Sequence, residues 1–276
     1  MNTDKKVIGI IGCGNMGAAL VENLKKKLQL KSILVFDVDK AKQAGLEKSF
    51  DVSGSLSLAE LASGSDIVII AVKPQDIESV LKDLKLLDQL VISIAAGISL
   101  GFMEGSFKQK VSLVRAMPNL NALVGKGVTA LCANASAGPS GLKTAQEIFE
   151  CVGKVVCVAE SQINAITAIS GSGPAFIAAL LKNLKEDSIK QVMIQEALHF
   201  NIDLKTADIL AQATIEGTLV MLKNFDPEML IKRVSSKGGT TEAGMKVLEQ
   251  KGKTEAALSE AIRAAEKRAG ELSRRS

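Results

Sequence analysis

The stretch VIGIIGCGNMGAAL, residues 7–20, decides the fold of the first half of the chain. A short apolar run is followed by Gly12, Gly14 and Gly17 in the spacing G-x-G-x-x-G, and then by residues with helical spacing. In such a strand–turn–helix unit the first glycine makes a tight turn, the second lets the backbone approach a pyrophosphate, and the third lets the helix pack on the strand. A helix N-terminus also attracts anions. We therefore expect a dinucleotide site here, with a plain glycine turn as the alternative.

Apolar runs alternate with helical patterns on the C-terminal side of this stretch. The runs are rich in Val and Ile: KVIGIIG, SILVFD, DIVIIAV, LVISIAAG and KVSLVRAMP, extended by GVTALCAN and KVVCVA. Continuous apolar strands separated by helices are typical of a parallel sheet that is covered by helices on both faces. The sequence thus predicts an α/β domain over residues 1–160.

Strand signals stop near Glu160, and the remainder of the chain has helical spacing throughout. The predicted helices span 161–185, 187–200, 203–223, 226–234, 240–250 and 254–273. We therefore expect a second, all-helical domain over residues 161–276.

Composition narrows the class of protein. The chain has 276 residues, of which 47% are hydrophobic and 23% charged, and a net charge of +4. These values are typical of a globular protein, and the basic residues alternate with acids, which argues against a nucleic-acid or membrane partner. Neither a signal peptide nor a membrane-spanning apolar run is expected. The four cysteines, Cys13, Cys132, Cys151 and Cys157, form no C-x-x-C pair, which disfavours zinc and favours a cytoplasmic protein with free thiols.

The end of the second apolar run bears on the choice of cofactor. Asp37 lies 20 residues beyond Gly17, where an acidic side chain can bind the ribose 2′-hydroxyl and favours NADH. Lys40 and Lys42 follow closely and could instead meet the 2′-phosphate of NADPH. A third interpretation is that Asp37 or Asp39 caps the next helix.

Two further strand ends carry candidate ligands, because ligands of doubly wound sheets lie outside the carboxyl ends of the strands. Lys73 and Pro74 follow the DIVIIAV run, and Asn119 and Asn121 follow KVSLVRAMP. The two amides could reach a nicotinamide or a substrate. For Lys73 the alternative is an ordinary exposed lysine.

Missing residue types exclude several reactions. The chain has no Tyr and a single histidine, His199, on a predicted helix. The usual proton donors of ketone reductases are therefore missing, and no Cys/His cluster supports zinc chemistry. An imine differs from a ketone because its nitrogen can arrive protonated, so that the carbon accepts a hydride without a strong enzyme acid.

Six motifs occur in a characteristic order: GIIGCGNMG, AVKPQ, SIAAGIS, RAMPNLNA, ISGSGPAF and SSKGGTTEAGMKVLE. Together they resemble the pyrroline-5-carboxylate reductase family over nearly the whole chain. The resemblance implies a Rossmann domain followed by an all-helical dimerisation domain, with dimers that in some members assemble into decamers. It also implies reduction of the C=N bond of 1-pyrroline-5-carboxylate by NADPH or NADH to give L-proline, the last step of proline biosynthesis.

The resemblance gives a role to SSKGGTTEAGMKVLE, residues 235–249. Glycines and hydroxyl residues precede a predicted helix, an arrangement that presents a helix N-terminus to an anion. The resemblance implies that the loop binds the substrate carboxylate and that Thr241 faces the imine nitrogen. The alternative is a capped surface helix. The candidate substrate-binding residues are Ser236, Gly238, Gly239, Thr240 and Thr241, of which Ser236 and Thr241 are also the candidate catalytic residues.

The same resemblance completes the cofactor site, and it implies no metal. The candidate cofactor-binding residues are Gly12, Gly14, Asn15, Met16, Gly17, Asp37, Val72, Lys73, Pro74, Ala95 and Asn119. The small residues of ISGSGPAF, residues 169–176, are expected to allow close approach of backbone, cofactor or a partner chain, or simply to pack a helix.

Three features depart from the family pattern. Lys237 replaces the usual Pro of the substrate loop, the interval that contains KNLKEDSIK is longer than usual, and Asp37 replaces the usual Ser/Arg-type end of the second strand.

Two rival functions remain open. One is a hydroxyacid dehydrogenase of the 6-phosphogluconate type, but Lys182 lies nine residues after Gly173, further than the catalytic lysine of that class. The other is a non-catalytic NAD(H)-binding regulator, which would have no need of a substrate loop.

Overall fold

The computed structural model of the protein describes residues 3, 5–86 and 88–273. Its contacts divide the chain into two compact units. Unit 1 comprises Met1–Ala116 and Leu131–Val155, and unit 2 comprises Met117–Ala130 and Val156–Ser276. A single boundary at residue 160 does not anticipate that residues 117–130 belong with the helical unit. The division into domains 1–160 and 161–276 therefore stays a prediction.

One sheet of eight strands forms the framework of the α/β part. In spatial order the strands run β3-β2-β1-β4-β5-β6-β7-β8. Their bounds are Val7–Ile11 (β1), Ser32–Phe36 (β2), Ser53–Gly54 (β3), Ile67–Ile70 (β4), Leu90–Ser93 (β5), Ser112–Pro118 (β6), Gly127–Ala133 (β7) and Gly153–Cys157 (β8). The pairs from β3 through to β6 are parallel, with Ile10 opposite Val35 on one side and Ile69 on the other. This confirms the predicted parallel sheet.

Burial explains why the strands are apolar without alternation. All four residues of β4 are buried, as are Ile8, Ile10 and Ile11 of β1. A strand in the middle of a parallel sheet is covered on both faces, so both sets of its side chains must be apolar. The two-residue strand β3 is too short to produce such a pattern, and the sequence does not predict it.

Within the described residues, six helices accompany these strands. They are Asn15–Lys27 (α1), Lys40–Phe50 (α2), Leu58–Ser63 (α3), Ile77–Asp83 (α4), Leu100–Gly105 (α5) and Gly138–Glu150 (α6), with short 3₁₀ turns at Pro74–Asp76 and Leu120–Val124. Side-chain caps begin several of them: Ser57 accepts the N–H of Glu60, and Ser99 accepts that of Phe102.

Unit 2 is helical after β8. A 3₁₀ turn at Glu160–Gln162 leads into Ile163–Ile166 (α7), a π-helical segment at Thr167–Gly171, and Gly173–Leu180 (α8). The later helices are Glu186–His199 (α9), Leu204–Met221 (α10), Pro227–Val234 (α11), Thr240–Lys251 (α12) and Glu255–Ser273 (α13).

The run Glu160–Leu180 is long and apolar enough to cross a membrane by length and composition alone. The expectation that no run reaches this length is therefore wrong. Within the fold 89% of the apolar window is buried, as is usual for a core helix.

Candidate functional site

A cleft of about 660 Å³ opens in unit 1 at the carboxyl ends of β1, β2 and β4. Five of the predicted cofactor-binding residues line it: Gly12, Gly14, Asp37, Val72 and Lys73. Asn15, Met16 and Gly17 form the first turn of α1, and Pro74 begins the 3₁₀ turn directly after Lys73. The location agrees with the rule that ligands of doubly wound sheets bind at the carboxyl ends of strands.

The three glycines of the turn differ in what surrounds them. Gly12 has φ +102°, and a Cβ atom there would lie 2.6 Å from the carbonyl oxygen of Ala71. A Cβ on Gly17 would lie 2.0 Å from the carbonyl oxygen of Gly12. Gly14, which lines the cleft, has no atom within 4 Å of such a Cβ. Two glycines are thus required by the protein itself, while the third leaves space at the N-terminus of α1 that fits a pyrophosphate group.

Asp37 ties the glycine turn to the end of β2. Its Oδ2 accepts the N–H of Cys13 at 2.7 Å, and its Oδ1 accepts the N–H of Asp39 at 2.8 Å. Each carboxylate oxygen retains a further lone pair, which can accept a ribose hydroxyl. The cap of α2 is Asp39, which accepts the N–H groups of Ala41 and Lys42, and not Asp37.

One ion pair lies beside the cleft. Lys42 Nζ lies 3.2 Å from Asp39 Oδ2, and this hydrogen bond lowers the pKa of Asp39 and raises that of Lys42. Lys40 Nζ lies 4.5 Å above the ring of Phe36. A 2′-phosphate would have to compete for the ammonium group of Lys42, and it would also approach the carboxylates of Asp37 and Asp39.

Ala95, another predicted cofactor-binding residue, follows β5 and is 3% exposed, with its N–H directed to Ser93 Oγ at 3.3 Å.

Asn119 belongs to unit 2 and is also buried. Its Nδ2 donates to the carbonyl oxygen of Ser170 at 3.2 Å, and its Oδ1 accepts the N–H of Val128 at 3.1 Å. The amide of Asn119 thus has partners within unit 2, and its expected contact with a nicotinamide stays a prediction.

Asn121 is fully buried in unit 2. Its Nδ2 donates to the carbonyl oxygen of Thr214 at 3.0 Å and to Thr218 Oγ1 at 3.3 Å. This amide therefore joins the 3₁₀ turn at Leu120–Val124 to α10.

The predicted substrate loop lies in unit 2, between α11 and α12. Gly238 has φ +69°, a conformation that favours glycine, and a Cβ on Gly239 would lie 2.3 Å from Ser236 Oγ. Gly238 is therefore needed for the turn itself, and Gly239 allows the close approach of Ser236. Because α12 begins at Thr240, the N–H groups of its first turn have no acceptor within the helix and are available to an anion.

Two contacts of Gly238 hold the loop in place. The N–H of Gly238 donates to Glu242 Oε2 at 2.7 Å, and its carbonyl oxygen accepts from Arg268 Nε at 2.8 Å. The pKa of Glu242 is lowered, mainly by its hydrogen bond with Lys246 and then by the Gly238 N–H, so the residue stays ionised. The N–H of Gly238 is thus engaged by a carboxylate of the protein.

Hydroxyl groups behind the loop form a cluster. Thr241 is 4% exposed, and its Oγ1 donates to Ser172 Oγ at 3.1 Å. Thr240 Oγ1 lies 3.0 Å from the same Ser172 Oγ. Ser236, by contrast, is exposed. The structure therefore brings Thr240 and Thr241 together with Ser172, which belongs to the ISGSGPAF motif.

Three residues of this site are absent from the sequence-based set. Glu242 has a signal, since an acid three residues after the N-cap Gly239 resembles a capping box. Ser172 lies in a motif that was identified, but nothing in the sequence shows which hydroxyl it meets. Arg268 lies 30 residues from Gly238 and gives no local signal.

The described residues give little support for a metal site, a catalytic histidine or a cysteine nucleophile. No group of three His, Cys, Asp or Glu side chains there could hold a metal ion. His199 is exposed near the end of α9, with its ring against that of Phe200. Burial, and then the charge of Asp37, raise the pKa of the Cys13 thiol to about 12, so this cysteine is a poor nucleophile.

Comparison with known proteins places these features in a family. Residues 160–272 match the family model described as pyrroline-5-carboxylate reductase dimerisation, and residues 7–97 match that of NADP oxidoreductase, coenzyme F420-dependent. A pyrroline-5-carboxylate reductase of Synechocystis sp. is 36% identical over 97% of this chain and 98% of its own length.

Solved structures of similar fold include members of the same family as the sequence relatives. A pyrroline-5-carboxylate reductase from Coxiella burnetii is 32% identical with a TM-score of 0.68, and covers 99% of both chains. The Plasmodium falciparum pyrroline carboxylate reductase, solved with NADP bound, is 26% identical with a TM-score of 0.66, over 99% of this chain and 100% of its own. The likeness extends over both units. The chain belongs to the pyrroline-5-carboxylate reductase family.

Proposed function

We propose that the protein reduces 1-pyrroline-5-carboxylate to L-proline with NADPH or NADH. The observation that carries the proposal is the loop before α12, where two glycines of fixed geometry place the N–H groups of a helix start beside a hydroxyl cluster. Such a loop suits a small substrate with one carboxylate next to a polar ring atom. The relatives named above support the same substrate.

The cofactor is proposed to bind in the cleft of unit 1. NAD(P)H supplies the hydride when bound. Gly12, Gly14 and the first turn of α1, Asn15 to Gly17, are proposed to hold its pyrophosphate, and Asp37 its adenosine ribose. Val72, Lys73, Pro74, Ala95 and Asn119 complete the proposed set. The carboxylates of Asp37 and Asp39 favour a free 2′-hydroxyl over a 2′-phosphate, so we expect NADH to be used at least as well as NADPH.

The substrate is proposed to bind to unit 2. Its carboxylate would accept from the N–H groups of Thr240 and Thr241 and from the Ser236 hydroxyl, with Gly238 and Gly239 shaping the turn. Thr241 Oγ1 is the proposed contact of the imine nitrogen. The fixed N–H of Gly238 contributes by holding Glu242 and not by direct contact with the substrate.

The remaining assignments follow from the family. We propose a cytoplasmic enzyme of proline biosynthesis that works as a homodimer or as a decamer assembled from such dimers, without a metal ion and without a nucleic-acid or membrane partner. The match of residues 160–272 to a dimerisation model supports the homo-oligomer.

The test is the oxidation of NADH and of NADPH with and without 1-pyrroline-5-carboxylate, before and after treatment with a chelator. Substrate-dependent oxidation that survives chelation is the expected result. Oxidation of a 2-hydroxyacid in place of imine reduction would favour the hydroxyacid dehydrogenase alternative. Tight binding of NAD(H) with no turnover would favour a regulator, and loss of activity on chelation would overturn the metal-free assignment.

A further inference from the structure

Ser172 occupies a rigid and fully buried position behind the substrate loop. It lies between the π-helical segment and α8, and its N–H donates to the carbonyl oxygen of Thr167 at 2.9 Å. Its own carbonyl oxygen accepts from Ala175 at 3.0 Å. Single-turn π-helical segments inside helices occur frequently at functional sites. Here the segment fixes the backbone from which Ser172 Oγ meets both threonines of the loop.

The number of protons in the hydroxyl cluster limits what Thr241 can offer a ligand. A hydroxyl has one proton to donate and two lone pairs that accept. Thr241 directs its proton to Ser172 Oγ. The oxygen of Thr241 therefore has only lone pairs left for any other partner. Thr240 and Ser172 share the second bond of the cluster, in which either oxygen can donate.

This geometry sets the protonation state of the ligand that fits. A neutral imine nitrogen carries a lone pair and no proton, so it would face the lone pairs of Thr241 Oγ1 without a hydrogen bond. A protonated imine carries an N–H that these lone pairs accept, in a bond strengthened by its charge.

We propose that Ser172 is a positioning residue that holds the Thr241 hydroxyl as an acceptor, so that the loop selects the protonated imine. The inference rests on the proposed function, since it assumes that Thr241 Oγ1 contacts the ring nitrogen. The reaction balances without an enzyme acid. As the hydride from NAD(P)H adds to the carbon, the C=N π electrons move to the nitrogen, and the product is the neutral secondary amine, which water then protonates.

A double-mutant cycle with Ser172→Ala and Thr241→Val separates positioning from general packing. We expect Ser172→Ala to lower kcat/KM by about tenfold, the factor that follows from loss of one hydrogen bond. In the Thr241→Val background the same change should have almost no further effect. The matched control is Ser170→Ala. Ser170 is equally buried in the same segment, but its Oγ donates to the carbonyl oxygen of Ile166 at 3.0 Å, away from the threonines.

Binding of two ring analogues then tests the direction of the hydrogen bond. L-Proline presents N–H donors at neutral pH, whereas tetrahydrofuran-2-carboxylate presents a ring oxygen that can only accept. The wild-type enzyme should bind L-proline more tightly, and Ser172→Ala should narrow the ratio of the two affinities, because the freed Thr241 proton can turn to the ring oxygen. A change in packing alone would weaken both ligands equally.

Additive effects in the cycle, or an unchanged ratio of affinities in Ser172→Ala, would overturn the proposal. If Ser172→Ala fails to fold, Ser172→Cys gives the same test, because a thiol of similar shape is a weak acceptor. A wild-type enzyme that is inactive with 1-pyrroline-5-carboxylate and both cofactors would instead overturn the proposed function, so the two failures are distinguishable.

Discussion

At the scale of single residues, the glycine turn shows which side chains the fold requires and which a ligand requires. A Cβ on Gly17 would collide with the backbone of Gly12, whereas a Cβ on Gly14 would enter open space. Gly14 also has an extended conformation, φ −73° and ψ −171°, that any residue can adopt. The fold itself therefore does not require a glycine at position 14, whereas the proposed pyrophosphate would.

A pair of substitutions tests this distinction. Gly14→Ala should leave the melting temperature nearly unchanged but weaken cofactor binding at least tenfold, because the methyl group occupies the space proposed for the pyrophosphate. Gly17→Ala should lower the stability by several kcal/mol, on the order of an overpacked core. Thermal unfolding and cofactor titration by fluorescence measure the two effects. Normal cofactor affinity in a folded Gly14→Ala protein would place the pyrophosphate elsewhere.

Thr241 gives the second prediction at this scale. Thr241→Val keeps the shape of the side chain and removes the hydroxyl. Loss of a hydrogen bond to a charged group costs about 1.5–3 kcal/mol, which is roughly a ten- to hundredfold loss in kcat/KM. A fall in kcat indicates a contact made in the transition state, and a rise in KM alone indicates ground-state binding. Cofactor affinity is the control, and unchanged kinetics in a stable variant would remove Thr241 from the active site.

The third residue-scale prediction concerns thiol reactivity. The pKa of Cys13 is raised to about 12, so the unreactive protonated thiol persists far above neutral pH. Cys157, in contrast, is exposed. At pH 8 iodoacetamide should modify Cys157 and spare Cys13, whose modification should appear only on unfolding, and peptide mass spectrometry can assign the two sites. Rapid labelling of Cys13 in the native protein would contradict its burial beside Asp37.

Residue-level inference from the sequence succeeded where the signal is local. The glycine spacing and the cap at Asp39 depend on neighbours in the chain, so the sequence contains them. It could not show that Asp37 accepts the N–H of Cys13, because that contact joins two elements 24 residues apart. For the same reason the sequence did not predict the hydrogen bond between Thr241 and Ser172, which lie 69 residues apart.

At the scale of elements, α13 supports the loop before α12. Arg268 donates from Nε to the carbonyl oxygen of Gly238 and pairs through Nη1 with Glu271 at 2.8 Å. The resemblance implies Pro at the position of Lys237, and Pro would restrict the turn by itself. We infer that Arg268 supplies part of that restriction here.

Arg268→Met therefore should raise KM for 1-pyrroline-5-carboxylate severalfold, with a smaller change in kcat and none in cofactor affinity. One hydrogen bond of this kind contributes about 1 kcal/mol. Lys267→Met is the matched control, since Lys267 is exposed on the same helix. Combining Arg268→Met with Lys237→Pro should recover part of the loss, and an equal effect of the two Met variants would exclude the supporting role.

For three helices of unit 2 the hydrophobic periodicity of the sequence was sufficient to predict the boundaries. The predicted spans 187–200, 203–223 and 226–234 correspond to Glu186–His199, Leu204–Met221 and Pro227–Val234, within two residues at each end. The first predicted helix, 161–185, ends in the structure at Leu180, and hydrogen-bonded turns follow, in which the N–H of Asn183 donates to the carbonyl oxygen of Leu180. Its π-helical segment also leaves no mark in the hydrophobic pattern.

At the scale of the whole molecule, the sequence identified two halves but not how the chain is shared between them. Residues 117–130 precede the end of the sheet in sequence yet belong to unit 2. Asn121 is fully buried there against Thr214 and Thr218, and a Cβ on Gly217 would lie 2.4 Å from the carbonyl oxygen of Lys126. The placement of residues 117–130 in unit 2 depends on contacts between residues more than 90 positions apart, and no local sequence pattern encodes such contacts.

Assembly is the prediction that belongs to this scale. Within residues 209–222 only Glu216 is exposed, so this apolar stretch by itself gives no argument for a partner chain. The expectation of a dimer rests instead on the match of residues 160–272 to a dimerisation model. Light scattering should therefore give at least twice the chain mass of 29.0 kDa, with activity in the same fraction. Dilution until subunits separate should abolish turnover while a single chain still binds the cofactor, because the cleft proposed for the cofactor is lined by residues of unit 1 and only Asn119 of the proposed set belongs to unit 2. Full turnover by a stable monomer would mean that one chain contains every residue the reaction needs.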